Sequence, residues 1–257
     1  MAHTDTVLAG PRIRQVTLEQ PWSWLAAGWR DIWQAPHISL AYGALFAAVS
    51  IALTAGLFAI GVEYLLPPLA AGFMLLGPML AVGLYETSRR LHAGEPVTLR
   101  DALLVVTRSP AQLGFIGILL ALFMLAWMRI ASLLFALFMG TLGFPPLAEI
   151  LPRLFFTAEG LGLLAVGSAV GAVLAAAVFA ISVVSVPMLM VRDVDAVTAM
   201  ILSVRAARKN AAVLILWAWL IAILTGIGLL TFFVGLTLTF PLVGHASWHA
   251  YRDLIEA

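Results

Sequence analysis

The stretch 239–253, TFPLVGHASWHAYRD, ends the last apolar run of the chain and holds two of its five histidines, a Trp, a Tyr and an Arg-Asp pair. Seven, eight and eleven residues after Pro241 stand an aromatic residue, a polar residue and an Arg. The same offsets counted from Pro78 give the same residue types. The agreement predicts a repeated unit, which should be sought before a fold is assigned.

The composition around this stretch is that of a membrane protein. Of the 257 residues, 63% are hydrophobic and 11% are charged, whereas a soluble domain is about 45–50% apolar. The apolar residues form runs that approach or exceed the roughly 20 residues needed to cross a bilayer. A net charge of +1 gives no electrostatic reason to bind nucleic acid. The absence of Cys removes disulfides and thiolate metal sites.

These runs predict an all-α polytopic bundle with six transmembrane helices. The last run, 211–251, would be about 60 Å long as one helix, twice the hydrocarbon thickness, so a turn is expected near Gly226 and Gly228. Residues 18–257 form the single membrane domain and residues 1–17 a flexible tail. The six spans are expected at about 38–60, 64–85, 113–139, 161–187, 211–227 and 230–251.

Short amphipathic helices are expected between and before the spans. One begins near Leu18, a second covers Leu99 to Arg108 after a capping box, and a third lies around Glu149 to Phe156. Proline residues in the second span predict kinks near Leu66 and Leu76, which neighbouring helices can tolerate in a membrane bundle.

The cationic residues lie on one side of the six-span arrangement. Arg153, with Arg129 near it, stands on the opposite side of the membrane from the other twelve Arg and Lys residues. Because cytoplasmic loops carry an excess of Lys and Arg, both termini are expected in the cytoplasm.

Aromatic residues predict where the bundle meets the headgroup layer. Trp22, Trp29 and Trp33 recur on one face of the first helix, and an indole ring is stable at the interface because its N–H stays hydrated. Trp248 and Tyr251 are expected to anchor the end of the last span in the same way. Packing of the first Trp face on other helices is the alternative.

His245 and His249 are the first candidate for chemistry. Four residues apart on a helix, they share one face and could ligate one metal ion. Two imidazoles supply half of a tetrahedral site, and Glu86 and Asp193, expected on the same membrane side, would complete it. The alternative is that both rings hydrogen-bond to carbonyls or carboxylates. A haem held at this pair is disfavoured, because neighbouring turns of one helix cannot reach opposite porphyrin faces.

Two further features lie within the spans. Arg129 is an ionisable residue in a span, which is a functional hypothesis by default. Its distance from the start of the third span places it near the far interface, where the side chain can snorkel outward. Gly167, Gly171 and Ala175 recur every four residues and predict a close helix contact, through which the protein could form a homo-oligomer.

Four segments resemble a known family: PWSWLAAGWRDIWQAPHISLAYG (21–43), LAAGFMLLGPMLAVGLYETSRRL (69–91), FAISVVSVPMLMVRDVD (179–195) and FPLVGHASWHAYRDL (240–254). They are similar to bacterial six-span integral membrane proteins grouped as a domain of unknown function. The resemblance implies a bacterial inner-membrane location and no assigned reaction. Some members are labelled cytochrome c oxidase subunit I, which differs in having twelve spans and six metal-ligating histidines.

The sequence therefore favours a non-enzymatic membrane protein that takes part in membrane assembly or is associated with transport. Its expected partners are lipid and either another membrane protein or a second copy of the chain. It contains no Walker loop, no nucleophile elbow and no His-Glu-x-x-His motif. Two alternatives remain open. One is a respiratory component with a metal ion or haem at His245 and His249, and the other is a small-solute or ion transporter that uses Arg129.

Overall fold

The computed structural model describes residues 11–140 and 147–256. Within these ranges the chain is helical, with a 3-10 turn at Glu63–Leu65 and one isolated antiparallel bridge between Ile13 and Ile255. The helices are α1 Gln20–Gln34, α2 Pro36–Ala59, α3 Leu66–Leu80, α4 Val82–Ala93, α5 Leu99–Leu103, α6 Pro110–Met139, α7 Leu147–Phe156, α8 Ala158–Ser182, α9 Ser185–Val191, α10 Ala196–Lys209, α11 Ala211–Leu230 and α12 Leu236–Leu254.

The last helix, α12, is the centre of one half of the molecule. It packs against α1, α2, α4 and α11, and ten of its 19 residues are buried. Tyr42 and Phe46 of α2 contact Phe240 of α12, with ring centroids 6.4 and 4.5 Å from it. The surrounding helices thus separate much of α12 from the outer surface.

The other half is built from α3, α6 and α8, which pack on one another. Trp127 of α6 joins all three helices. Its indole N–H donates to the Pro68 carbonyl of α3 (2.8 Å), and its ring lies against Gly171 of α8. The short helix α9 contacts α4, α6 and α12 and so connects the two halves.

Five helical stretches of the described chain are long and apolar enough to cross a membrane, namely Pro36–Ala59, Glu63–Ala93, Pro110–Met139, Ala158–Val191 and Ala211–Leu230. They confirm the expected all-α membrane bundle. The sixth expected span corresponds to α12, which is not among the five. Its second half carries His245, His249 and the Arg252-Asp253 pair, which lower its hydropathy.

Several chain segments meet at one end of the molecule, called the polar end below. Residues 12–14 pair with residues 254–256 through backbone hydrogen bonds. Lys209 donates to the backbone of the first segment (2.7 Å) and Arg192 to that of the second (2.6 Å). The Ser109 hydroxyl donates to the Arg192 carbonyl (3.1 Å). Segments expected on the same side of the membrane therefore lie together.

The expected flexible tail is held at this end wherever the structure describes it. The Val16 N–H donates to the Asn210 side chain (2.9 Å), whose amide donates to the Arg14 carbonyl (3.0 Å). Residues 1–10 of the expected tail lie outside the described residues.

The starts of α5 and α10 have side-chain caps, and the first of these, the capping box at Thr98, was expected. Thr98 and Asp101 form a reciprocal capping box at the start of α5. Asp195 accepts from the Thr198 N–H (2.9 Å) at the start of α10. Hydrogen bonding from Thr198 holds the pKa of the Asp195 carboxyl below its ordinary value, because it stabilises the charged form.

Some expected boundaries were wrong. The turn before α12 lies at 231–235, with Phe232 and Phe233 at positive φ, whereas Gly226 and Gly228 are inside α11. The helix expected from Leu99 to Arg108 ends at Leu103. The Arg108 N–H donates instead to the Met190 carbonyl of α9 (3.1 Å), so a tertiary contact replaces the helical hydrogen bonds.

The expected kinks also lie elsewhere. Pro67 and Pro68 occupy the first turn of α3, where a missing N–H leaves no helical carbonyl unpaired. The break associated with Pro78 falls at Ala81, between α3 and α4, rather than near Leu76.

Candidate site: a buried hydrogen-bonded network and an open polar cavity

The candidate site forms where α1 crosses α12 at the polar end. Gly28 permits this crossing, since a Cβ at this position would lie 2.8 Å from the Ala246 nitrogen and 3.0 Å from the Leu242 carbonyl oxygen. The close approach places Asp31, one turn further along α1, against the second half of α12. Asp31 is 7% exposed although it carries a carboxylate.

His245 is fully buried, with 0% of its surface exposed, and both of its ring nitrogens have serine partners. Its Nε2 lies 2.9 Å from the Ser39 hydroxyl of α2, and its Nδ1 lies 2.7 Å from the Ser88 hydroxyl of α4. Ser88 also donates to Asp31 (2.6 Å). Because Ser88 has a single hydroxyl proton, it must accept from His245 Nδ1, which places the proton of a neutral ring there.

Asp31 connects this buried ring to the second histidine. Its Oδ2 atom accepts from the Ser88 hydroxyl and from His249 Nε2 at 2.9 Å. The resulting chain of hydrogen bonds, here called the His–Ser–Asp network, consists of Ser39, His245, Ser88, Asp31 and His249. It contains side chains from α1, α2, α4 and α12.

The network explains how polar groups are tolerated inside an apolar bundle. A buried carboxylate or imidazole without partners loses its hydration, whereas a hydrogen-bonded one recovers most of that free energy. Removing one partner leaves the others buried and unpaired, which costs more than the pair contributes when intact. The four helices are therefore held in one specific arrangement.

A cavity of about 250 Å³ opens beside the network at the polar end and is called the polar cavity below. Asp31 and His249 reach it from the network. Arg30, Gln34 and His92, which are exposed, also line its wall. His245, Ser39 and Ser88 are not among its lining residues, so the buried part of the network is closed off from it.

The other two residues expected to complete a metal site have different partners. Glu86 accepts from Arg89 (2.8 Å) and Arg90 (2.7 Å) on its own helix. Asp193 lies beside the Ser109 hydroxyl (3.4 Å). The structure thus links the two histidines to Asp31, His249 directly and His245 through Ser88, rather than to Glu86 or Asp193. In residues 11–140 and 147–256, no group of three or more His, Cys, Asp or Glu side chains is placed to hold a metal ion.

Arg129 lies on an exposed face of α6. Glu149 of α7 forms an ion pair with Arg153 (2.9 Å). In the small-residue row of α8, Gly171 faces the Trp127 ring, whereas a Cβ at Gly167 would meet no atom within 4 Å. Ala175 is exposed. One position of the row therefore packs within the chain and two remain on the outer surface.

The aromatic residues expected at the interface fall into two groups. The side chains of Trp22, Trp29 and Trp33 are exposed on the outer face of α1, as expected for an interfacial helix. Trp248 and Tyr251 are each only 4% exposed and lie in the core. Their burial corrects the expectation of an anchor at the end of the last span, because α1 covers this part of α12.

Asp31, Ser39 and Ser88 were missed by sequence reasoning. A signal for Asp31 was present, since Trp24, Ala27, Gly28 and Asp31 recur at helical spacing on the face of α1 opposite the exposed Trp residues. The three Trp residues on the other face were the stronger sequence pattern, so the face that carries Asp31 was not interpreted. Ser39 and Ser88 had no comparable signal, because a serine near a helix end is common and carries no charge.

The fold and the site together define the class of this protein, an all-α polytopic integral membrane protein. Residues 65–191, from the start of α3 to the end of α9, match the family model DUF2189, described as a predicted integral membrane protein. This match confirms the expected resemblance to a family of membrane proteins classed as a domain of unknown function. No curated protein and no solved structure matches the chain.

The matched range contains Ser88 of the network but not Asp31, Ser39, His245 or His249. The network therefore joins the family region to helices on both sides of it in the chain.

Proposed function

We propose that this protein is a non-enzymatic component of a bacterial inner membrane, of the assembly or transport-associated kind, with both termini in the cytoplasm. The observation that carries the proposal is the His–Ser–Asp network, which joins α1, α2, α4 and α12 at the polar end. A fully hydrogen-bonded network rigidifies and specifies a helix arrangement. Its polar groups thereby serve the packing of the bundle.

The same geometry argues against hydrolytic chemistry at this site. The Ser39 hydroxyl lies 2.9 Å from His245 Nε2, which is the distance between nucleophile and base in many hydrolases. However, Ser39 is 0% exposed and does not line the polar cavity. A substrate carbonyl could not approach this hydroxyl without separation of α2 from α12.

The outer face of α6 and α8 supports a role that involves a partner within the membrane. Gly167 and Ala175 are open on the surface of α8. A separate apolar groove of about 310 Å³, lined in part by Ile130 and Val173, lies between α6 and α8. Small residues let helix backbones approach closely, which favours association in lipid. A second copy of this chain or another membrane protein would pack on this face.

A flux measurement in proteoliposomes distinguishes this function from transport. Liposomes that contain the wild-type protein should hold an imposed proton gradient, followed with an enclosed pH-sensitive dye, as long as protein-free liposomes do. Asp31→Asn and Arg129→Ala should leave that decay unchanged. Rapid decay with the wild type that is lost in either variant would overturn the proposal in favour of a transporter.

A further inference from the structure

The polar cavity holds more hydrogen-bond donors than the protein itself uses. Arg30, Gln34 and His92 line it and are exposed. None of the three has a hydrogen bond or an ion pair with another residue of the described chain, that is, residues 11–140 and 147–256. A guanidinium, an amide and an imidazole therefore converge on one small space with their donor groups free.

The cavity wall carries one guanidinium, that of Arg30, and one carboxylate, that of Asp31. Asp31 is its one acidic lining residue, and the Oδ2 atom of Asp31 already accepts from Ser88 and His249. Asp31 has its hydrogen-bond partners in the network, whereas the Arg30 guanidinium forms no ion pair within residues 11–140 and 147–256.

We propose that the polar cavity binds a phosphate group. Arg30 offers a planar fork of donors that matches the geometry of phosphate oxygens, and Gln34 and His92 add further N–H donors. A volume of about 250 Å³ lies below the roughly 300–1,000 Å³ of pockets for drug-sized ligands, so the cavity suits one small anionic group. A cation would meet mainly donors here.

The phosphate could come from two sources with the same chemistry. The Trp residues on the outer face of α1 mark this region as the headgroup layer, so a lipid phosphate could enter from the side. A soluble phosphorylated compound could enter from the aqueous face. This inference goes beyond the proposed function, because phosphate binding can be measured whether or not the protein transports a solute.

Equilibrium dialysis of labelled inorganic phosphate against the full chain in a phosphate-free maltoside detergent tests the site. The wild type should bind phosphate saturably, and Arg30→Gln should weaken binding by about tenfold or more, because a charge-assisted contact is lost. Gln34→Leu should weaken binding less. Arg208→Gln is the matched control, since Arg208 is an exposed cation on α10 outside the cavity, and it should bind as the wild type does.

Mixed micelles then identify the source of the group. Displacement of the bound phosphate by phosphatidic acid, but not by phosphatidylcholine, would assign the site to a lipid headgroup. Retention of phosphate in the presence of both lipids would assign it to a soluble phosphate compound. Binding that is absent in the wild type, or equally tight in Arg30→Gln and Gln34→Leu, would overturn the proposal. Unchanged thermal unfolding of both variants confirms that a loss of binding is local.

Discussion

His245 and His249 stand one turn apart on the same helix but have different surroundings. His245 is enclosed by two serine hydroxyls in the core, whereas His249 reaches the polar cavity and binds a carboxylate. Their spacing identified them as a pair. The alternative, in which both rings hydrogen-bond to carbonyls or carboxylates, fits His249, which binds Asp31, but not His245, whose partners are the Ser39 and Ser88 hydroxyls.

Ser88 is the residue on which the network depends, because its hydroxyl both donates to Asp31 and accepts from His245. Ser88→Ala should lower the free energy of unfolding by about 1–3 kcal/mol, since two buried polar groups lose their partner. Thermal or denaturant unfolding of the purified protein measures the change. Ser132→Ala is the control, because the Ser132 hydroxyl is exposed and binds only the Met128 carbonyl of its own helix. Equal stability of the two variants would contradict a structural role for the network.

At the level of helices, α2 contains two glycines with opposite environments. A Cβ at Gly43 would clash with the Thr237 carbonyl and lie 2.8 Å from the Pro241 ring, whereas a Cβ at Gly56 would meet nothing within 4 Å. The first glycine therefore determines how closely α2 approaches α12. The second lies on the open side of the same helix.

Gly43→Ala should destabilise the protein by about 1–3 kcal/mol, because the backbone oxygen of α12 cannot move aside without a shift of the helix. Gly56→Ala should be neutral or stabilising, since Ala has a helix propensity about 0.8–1 kcal/mol better than Gly. The two unfolding curves, recorded in the same detergent, check the prediction. A Gly43→Ala variant as stable as Gly56→Ala would mean that α2 and α12 do not touch at this point.

Helix boundaries show how far local sequence signals extend. The capping box at Thr98 starts its helix where expected, because a cap depends on residues three positions apart. The end of α5 could not be read in this way. Its last expected turn is replaced by backbone hydrogen bonds to α9, a segment about 80 residues further along the chain.

At the scale of the whole molecule, the position of α12 raises the question of a sixth crossing. We propose that α12 crosses the membrane, because α11 runs away from the polar end, the turn follows, and the C-terminal residues 254–256 lie at the polar end again. Its 19 residues span about 28 Å as a helix, which matches the hydrocarbon thickness. Its polar residues are tolerated because protein, rather than lipid, surrounds them.

Single cysteines test this topology, since the chain has no Cys of its own. Ile60 and Val234 are exposed and lie in turns far from the polar end, and Val106 is exposed in the segment between α5 and α6. The variants are Ile60→Cys, Val234→Cys and Val106→Cys. A membrane-impermeant maleimide added to intact spheroplasts should label positions 60 and 234 but not 106. Disruption of the membrane should make all three reactive. Labelling of position 234 from the cytoplasmic side alone would show that α12 does not cross.

The sequence by itself determined the membrane class, the helical secondary structure and the grouping of cationic segments, because length, hydropathy and charge are properties of consecutive residues. Only the tertiary structure decided that Asp31, Ser39 and Ser88 would meet His245 and His249, since these partners stand 57 to 218 positions apart. Helical periodicity tells which residues share a face. It does not tell which face of another helix will lie opposite, because that depends on the packing of all the helices together.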